Sequence, residues 1–254
     1  MRFHVLRLRP GLILASLGIL LCLIVIFAGL PEYIIETATP ERLLPIYSVE
    51  TDERNISLGI NCAWGNEDIP VLLGILDSYG IRASFFVTGT FVRQFPDSVR
   101  MIHEAGHEIG SHSNNHVDLT ALDRAGIVQE IRSLNEEVKG IIGIAPVLFR
   151  TPSGAYNNLV IEVIRQEGMI PIQWDADSID YRDPTPAEMQ RRIMDKLRPG
   201  SITLFHAGAK NTPEALPGII EAAMEQGYIF VTVSELIHPA PYTLDHEGRQ
   251  HRAS

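Results

Sequence analysis

Five short stretches of this 254-residue chain carry side chains that could hold a metal or move a proton. They are Asn61-Cys62 in "GINCAWG", His112 and His116 in "SHSNNH", Arg150 in "FRTPSG", the aspartates Asp175, Asp177 and Asp180 in "WDADSIDY", and His206 in "LFHA". His112 and His116 stand four residues apart. That spacing can bring two imidazoles to one side of a turn as metal ligands, and it serves two solvent-facing histidines equally well. His103 and His107 repeat the interval, but one reads as part of a surface helix and the other as the start of a strand. Only two cysteines occur, Cys22 and Cys62, and Cys22 lies within a long apolar run. Cys62 is therefore a free thiol, with burial or metal ligation as its two uses.

Each reactive stretch closes a short apolar run. Such runs lie near residues 56–61, 83–88, 107–112, 146–150, 169–175, 201–206 and 228–233. Each is followed by enough chain for a helix or structured loop, so seven strand-helix units predict an α/β fold with a parallel sheet. Helical spacing places Ile69, Leu72, Leu73 and Leu76 on one face, and Ile127, Ile131, Leu134 and Val138 on another. Thr185-Pro186-Ala187-Glu188 has the form of a capping box with proline at the first helical position, and Thr212-Pro213 repeats the cap and proline. Gly80, Gly106, Gly168 and Gly227 close helical runs. The pattern suits an α/β barrel, whole or incomplete, in which strand carboxyl ends carry the chemistry.

Residues 11–30 contain no charge, and twenty such residues in a helix reach about 30 Å, the thickness of a hydrocarbon core. Arg2, Arg7 and Arg9 precede them, which predicts a cytoplasmic segment over 1–10, a single-pass anchor over 11–30 and an extracytoplasmic remainder. A cleaved signal peptide is the alternative, though Pro31 directly after Leu30 suits cleavage poorly. Residues 31–51 read as a linker, 52–238 as the domain and 239–254 as a frayed polar tail. Beyond residue 30 stand 18 basic and 31 acidic residues, a net of −13 with histidine neutral. Such a surface excludes nucleic acid as a partner.

Taken in order, the stretches resemble the five motifs of the polysaccharide deacetylases of carbohydrate esterase family 4, the NodB-like homology domain. "GHEIGSHSNNH" is similar to its histidine motif and "FRTPSGAYN" to its arginine-proline motif. "WDADSIDY" resembles the Asp-x-x-Asp-Trp motif, with Tyr181 for the Trp, and "ITLFHA" the terminal Leu-x-His motif. The first motif departs. Where the family has Thr-Phe-Asp-Asp-Gly, this chain has Gly59, Ile60, Asn61, Cys62 and Ala63, a variant that looks like one from a subgroup with an altered first motif.

The resemblance implies a distorted (β/α) barrel. It implies a divalent metal held by His112, His116 and a third ligand, with a bound water attacking the acetamide of an N-acetylated cell-wall glycan. Cys62 takes the third position, and a thiolate, bonding at about 2.3 Å, would favour zinc. The backbone N–H of Ser153 would meet the oxyanion, and Leu204 would line the acetyl pocket. His206 would protonate the leaving amine, oriented by Asp177, with Asp180 structural. Asn61 stands where the family has its general base, and a carboxamide is scarcely basic. Arg150, whose counterpart pairs with that base, would face an amide unless Glu67, Asp68 or another acid moves in. Trp64 serves either sugar stacking or packing at the barrel rim. Three readings follow: a membrane-anchored metal-dependent deacetylase, a glycan-binding pseudoenzyme that keeps the fold, and a Cys62 nucleophile partnered by His206, the last without a feature that would activate the thiolate.

Overall fold

A computed structural model describes residues 41–253. The elements run β1 (Ser48–Val49), β2 (Asn55–Ser57), β3 (Gly59–Cys62), α1 (Ile69–Ser78), β4 (Ser84–Val87), α2 (Gly89–Gln94), α3 (Pro96–Glu104), β5 (Glu108–Ser111), α4 (Arg124–Ile142) and β6 (Leu148–Phe149). There follow α5 (Asn158–Gln166), β7 (Ile170–Pro171), β8 (Ala176–Asp177), α6 (Pro186–Met194), β9 (Thr203–His206), α7 (Thr212–Glu225), β10 (Ile229–Val231), α8 (Val233–Leu236), β11 (Tyr242–Leu244) and β12 (Arg249–Arg252). Seven strands form one parallel sheet in the order β7-β6-β5-β4-β3-β9-β8, curled into a half-barrel.

The seven strands are not quite the seven apolar runs. The run at 228–233 becomes β10, which leaves the main sheet and pairs with β2. Its place is taken by β8, two residues within "WDADSIDY". So short a strand has no alternation to read, and its partner β9 supplies the order.

The helical faces follow the spacing. Ile69, Leu72 and Leu76 are buried on α1, and Ile127, Ile131, Leu134 and Val138 on α4. The capping box at Thr185 and Glu188 is formed on both sides. Thr212 differs: the cap position is Asn211, and Thr212 is the first helical residue, its hydroxyl donating to Asp180 at 2.8 Å.

Residues 46–49, expected within a linker, belong to the domain. Ile46 bridges Ile172 beside β7, and Val49 N–H donates to Gly200 before β9, so this segment reaches between the two sides of the curled sheet. The polar tail is also built in. β11 and β12 form an antiparallel hairpin, β12 pairs with β1, and the buried amide of Gln250 exchanges hydrogen bonds with the backbone of His238 at 2.7 and 2.9 Å. Polar side chains hid this strand because its partners are backbone groups and not an apolar face. The span expected over residues 11–30 lies outside the described residues, and among the described ones no helix is long and apolar enough to cross a membrane.

Candidate active site

Side chains alternate across a strand, so neighbours at a strand end part company. On β3, Asn61 turns into the mouth of the half-barrel, where its amide meets His112 and Arg150. Cys62 turns the other way. It is fully buried in the main apolar cluster between sheet and helices, with Ile60, Ile69 and Val87 among its members. Burial, and secondarily the Asp68 carboxylate, pushes its thiol pKa well up, and the side chain is packed in the core and does not line the cleft that holds the two imidazoles. The structure thus corrects the assignment of Cys62 to the metal set.

His112 follows β5 and is fixed on both nitrogens. Its Nδ1–H donates to the Arg150 carbonyl at 2.7 Å, which leaves Nε2 as an acceptor for the Asn61 Nδ2–H at 3.2 Å. Burial first, then neighbouring charge, holds its pKa well below the usual imidazole range. His116, at a positive φ of 55°, sets its ring edge-on to His112 with centroids 4.9 Å apart. The donors around His112 are therefore a second imidazole and a neutral amide, and the carboxylate that lines the cleft, Asp177, is not grouped with the two imidazoles. Among the described residues no group of three or more His, Cys, Asp or Glu is placed to hold a metal ion. These residues do not fit the three-ligand metal centre that the resemblance implies.

Arg150 extends from β6 beneath the cleft and is fully buried. Its Nη1 donates to Asn61 Oδ1 at 3.1 Å, its Nη2 to the Gln173 carbonyl at 3.3 Å, and its guanidinium lies 3.9 Å from the centroid of the Phe86 ring. Gly59 makes room for it, since a Cβ there would stand 2.6 Å from Nη2. Burial pushes its pKa down to about 9, opposed only by the charge of Asp177. Neither Glu67 nor Asp68 moves in as the missing partner. Asp68 instead accepts from Gly208 N–H at 2.8 Å. The unpaired cation expected from the sequence is present, with an amide in place of the carboxylate.

At the far wall, His206 ends β9. Its orienting partner is Asp180, not Asp177: Nδ1–H donates to Asp180 Oδ1 at 2.7 Å. The other oxygen of Asp180 accepts the His206 N–H at 2.6 Å and the Thr212 hydroxyl at 2.8 Å. Asp177 accepts instead from Ile179 N–H at 2.8 Å and lines the cleft. The exchange arises because Ile179 adopts a left-handed φ of 54°, which turns Asp180 inward, a bend that sequence spacing does not disclose. Asp175 is spent on Ser201, Arg198 and the Ile202 N–H.

A cleft of about 310 Å³ gathers these groups. Asn61, His112, His116, Asp177 and His206 line it, as do Ser153 and Leu204. Ser153 has a positive φ of 53° at the turn after Arg150. Trp64 stands at the opening, 47% exposed, and stacks flat on His206 with centroids 5.0 Å apart and 17° between planes. Its ring thus lines the cleft while packing on His206. Tyr181 meets His206 edge-on, and Trp174, which sequence reasoning passed over, completes the aromatic wall. Trp174 could have been found as the residue just before the aspartate motif, aromatic and at a strand end.

Fold and site together define a member of the NodB-like deacetylase class. The family model for polysaccharide deacetylase matches residues 48–172. The uncharacterised protein YlxY of Bacillus subtilis is 34% identical over 207 residues, 82% of this chain and 64% of that protein. The peptidoglycan-N-acetylmuramic acid deacetylase PdaA of Bacillus subtilis is 29% identical over 201 residues, 78% of this chain and 76% of that one. Among solved structures, wild-type BA3943 of Bacillus anthracis, described as a CE4 family pseudoenzyme, superposes with a TM-score of 0.74 at 33% identity, covering 76% of this chain and 68% of that one. A mutant of BA3943 described as having restored enzymatic activity gives a TM-score of 0.73 at 32% identity, with 76% and 71% covered. The chain belongs to the polysaccharide deacetylase family, carbohydrate esterase family 4. It spans just under two thirds of the length of YlxY.

Proposed function

We propose that this domain binds an N-acetylated cell-wall glycan in its cleft and has lost the deacetylation chemistry of its family. One observation carries this reading: the two first-motif residues face opposite ways, a neutral amide into the cleft and a buried thiol into the core. The base position is then non-basic and the third ligand position is empty of a donor. What the cleft keeps suits recognition. Trp64, Trp174 and Tyr181 offer flat apolar faces of the kind that stack on sugar rings, Leu204 offers an apolar contact for an acetyl methyl, and hydrogen-bonding groups lie at the floor. On this reading the apolar run at 11–30 tethers the domain to the outer face of the cell membrane, where such glycans lie.

The His206–Asp180 pair favours a second reading, a metal-dependent deacetylase of the same glycans, since an imidazole so oriented is ready to protonate a leaving amine. Titration calorimetry with N-acetylglucosamine oligomers, metal analysis and acetate release separate the two. The expected result is saturable binding, substoichiometric divalent metal and acetate release at the level of buffer. Trp64→Ala is expected to weaken binding about tenfold through loss of the stacking face. Stoichiometric zinc together with acetate release overturns the binding reading in favour of the hydrolase.

A further inference from the structure

A second concavity, of about 530 Å³, opens beside the cleft between the 180–184 turn and α6. Arg182, Arg191, Arg192 and Lys196 line it. The chain beyond residue 30 carries a net of −13, so four cations on one groove run against the character of the surface. Six arginines elsewhere are neutralised: Arg82, Arg93, Arg100, Arg124, Arg132 and Arg198 each pair with a carboxylate. None of the four groove cations forms an ion pair among the described residues. Arg192 Nε donates to the Asp177 carbonyl at 2.9 Å, and Arg182 lies over the Tyr181 ring, so these two tie the groove to residues of the cleft wall.

Three acids share the lining, Asp183, Glu188 and Asp195. The Glu188 carboxylate is committed to the Thr185 cap, accepting both its N–H and its hydroxyl. Cations therefore outnumber the acids, and Arg191 on α6 and Lys196 just beyond it form no ion pair among the described residues.

One turn builds both concavities. Asp177 and Tyr181 line the cleft, while Ile179, Arg182 and Asp183 line the groove, with Ile179 and Asp183 at positive φ of 54° and 52°. A polymer lying in the cleft would therefore present whatever branches from its rings to the groove. We infer that the groove is a subsite for the carboxylates of an acidic peptide branching from the glycan, so that the domain distinguishes peptide-bearing peptidoglycan strands from naked N-acetylglucosamine polymers. This deepens the glycan-binding reading and rests on it. Exposed guanidinium and ammonium groups suit this task because they trade water for carboxylate oxygens at little desolvation cost.

The test compares a peptide-bearing disaccharide fragment of peptidoglycan, its peptide-free counterpart and an N-acetylglucosamine tetramer, titrated against the wild-type chain and the double charge reversal Arg191→Glu/Lys196→Glu. Neither residue belongs to the cleft. The expected result is tighter binding of the peptide-bearing fragment, lost about tenfold in the variant and weakened by salt, with affinity for the tetramer unchanged. Equal affinity for all three ligands, or equal loss for all three in the variant, overturns the groove and leaves the cleft reading standing. Binding to none of them overturns both. Competition by poly(glycerol phosphate) as strong as by the peptide-bearing fragment overturns the peptide assignment in favour of a phosphate polymer.

Discussion

Cys62→Asp, the change that restores the residue type found at this place in the family motif, is expected to lower the stability of the domain by about 3–5 kcal/mol and its thermal midpoint by about 10 °C. The sulfur is fully buried among apolar side chains on the outer face of β3, with Ile60 two residues before it in the same cluster. A carboxylate placed there has neither a cation nor a hydrogen-bond donor positioned for it, and Asp68 already contributes like charge nearby. Protonation would relieve part of the cost, so the loss should shrink as pH falls. Cys62→Ala, which removes one sulfur and leaves a small cavity, is expected to cost only about 1 kcal/mol. Urea denaturation of the two variants checks the contrast. If Cys62→Asp instead folds as well as the wild type and binds zinc, the thiol faces the cleft and the binding reading fails with it.

That outcome bears on how the site reads in sequence. The motif order placed Asn61, His112, Arg150 and His206 around one opening, and the structure brings them there because each ends, or directly follows, a strand of one parallel sheet. Motif matching alone treated Asn61-Cys62 as a pair of equivalents for two aspartates. Strand alternation treats them as opposites, and alternation prevails wherever β3 keeps regular pairing, as it does with β4 through Cys62 itself. The exchange of Asp177 for Asp180 has a different origin. Both aspartates belong to one motif well before His206 in the chain, but the left-handed turn at Ile179 decides which one reaches it, and an isoleucine at that position does not announce a positive φ. The hairpin of β11 and β12 escaped for a third reason: β12 is polar and held by pairing to β1, some two hundred residues away, while β11 sets only Tyr242 and Leu244 against the core.

Asn61→Leu is expected to cost about 2–4 kcal/mol, because a single amide satisfies two buried groups at once. Its oxygen accepts from the Arg150 guanidinium at 3.1 Å while its nitrogen donates to His112 Nε2 at 3.2 Å. In its family the first position is a carboxylate that would neutralise the arginine. Here the amide lends Arg150 an acceptor without a charge, and it gives His112 a donor that keeps the imidazole neutral and its ring fixed. An apolar side chain of similar size supplies neither. Asn61→Asp separates the two halves of this role. It gives Arg150 an ion-pair partner and is expected to be more stable than Asn61→Leu by about 2 kcal/mol. In the wild type the pKa of Arg150 is pushed down to about 9 by burial, so the folded chain sheds this proton before the unfolded chain does. The penalty of the lone cation is then full below about pH 9 and is relieved as pH rises above it. Asn61→Asp pairs the cation and removes that relief. Its stability relative to the wild type is therefore expected to be greatest near pH 7 and to fall as denaturation is repeated above pH 9. A difference that stays constant across that range would mean that Arg150 keeps its proton throughout and that burial depresses its pKa less far than to about 9.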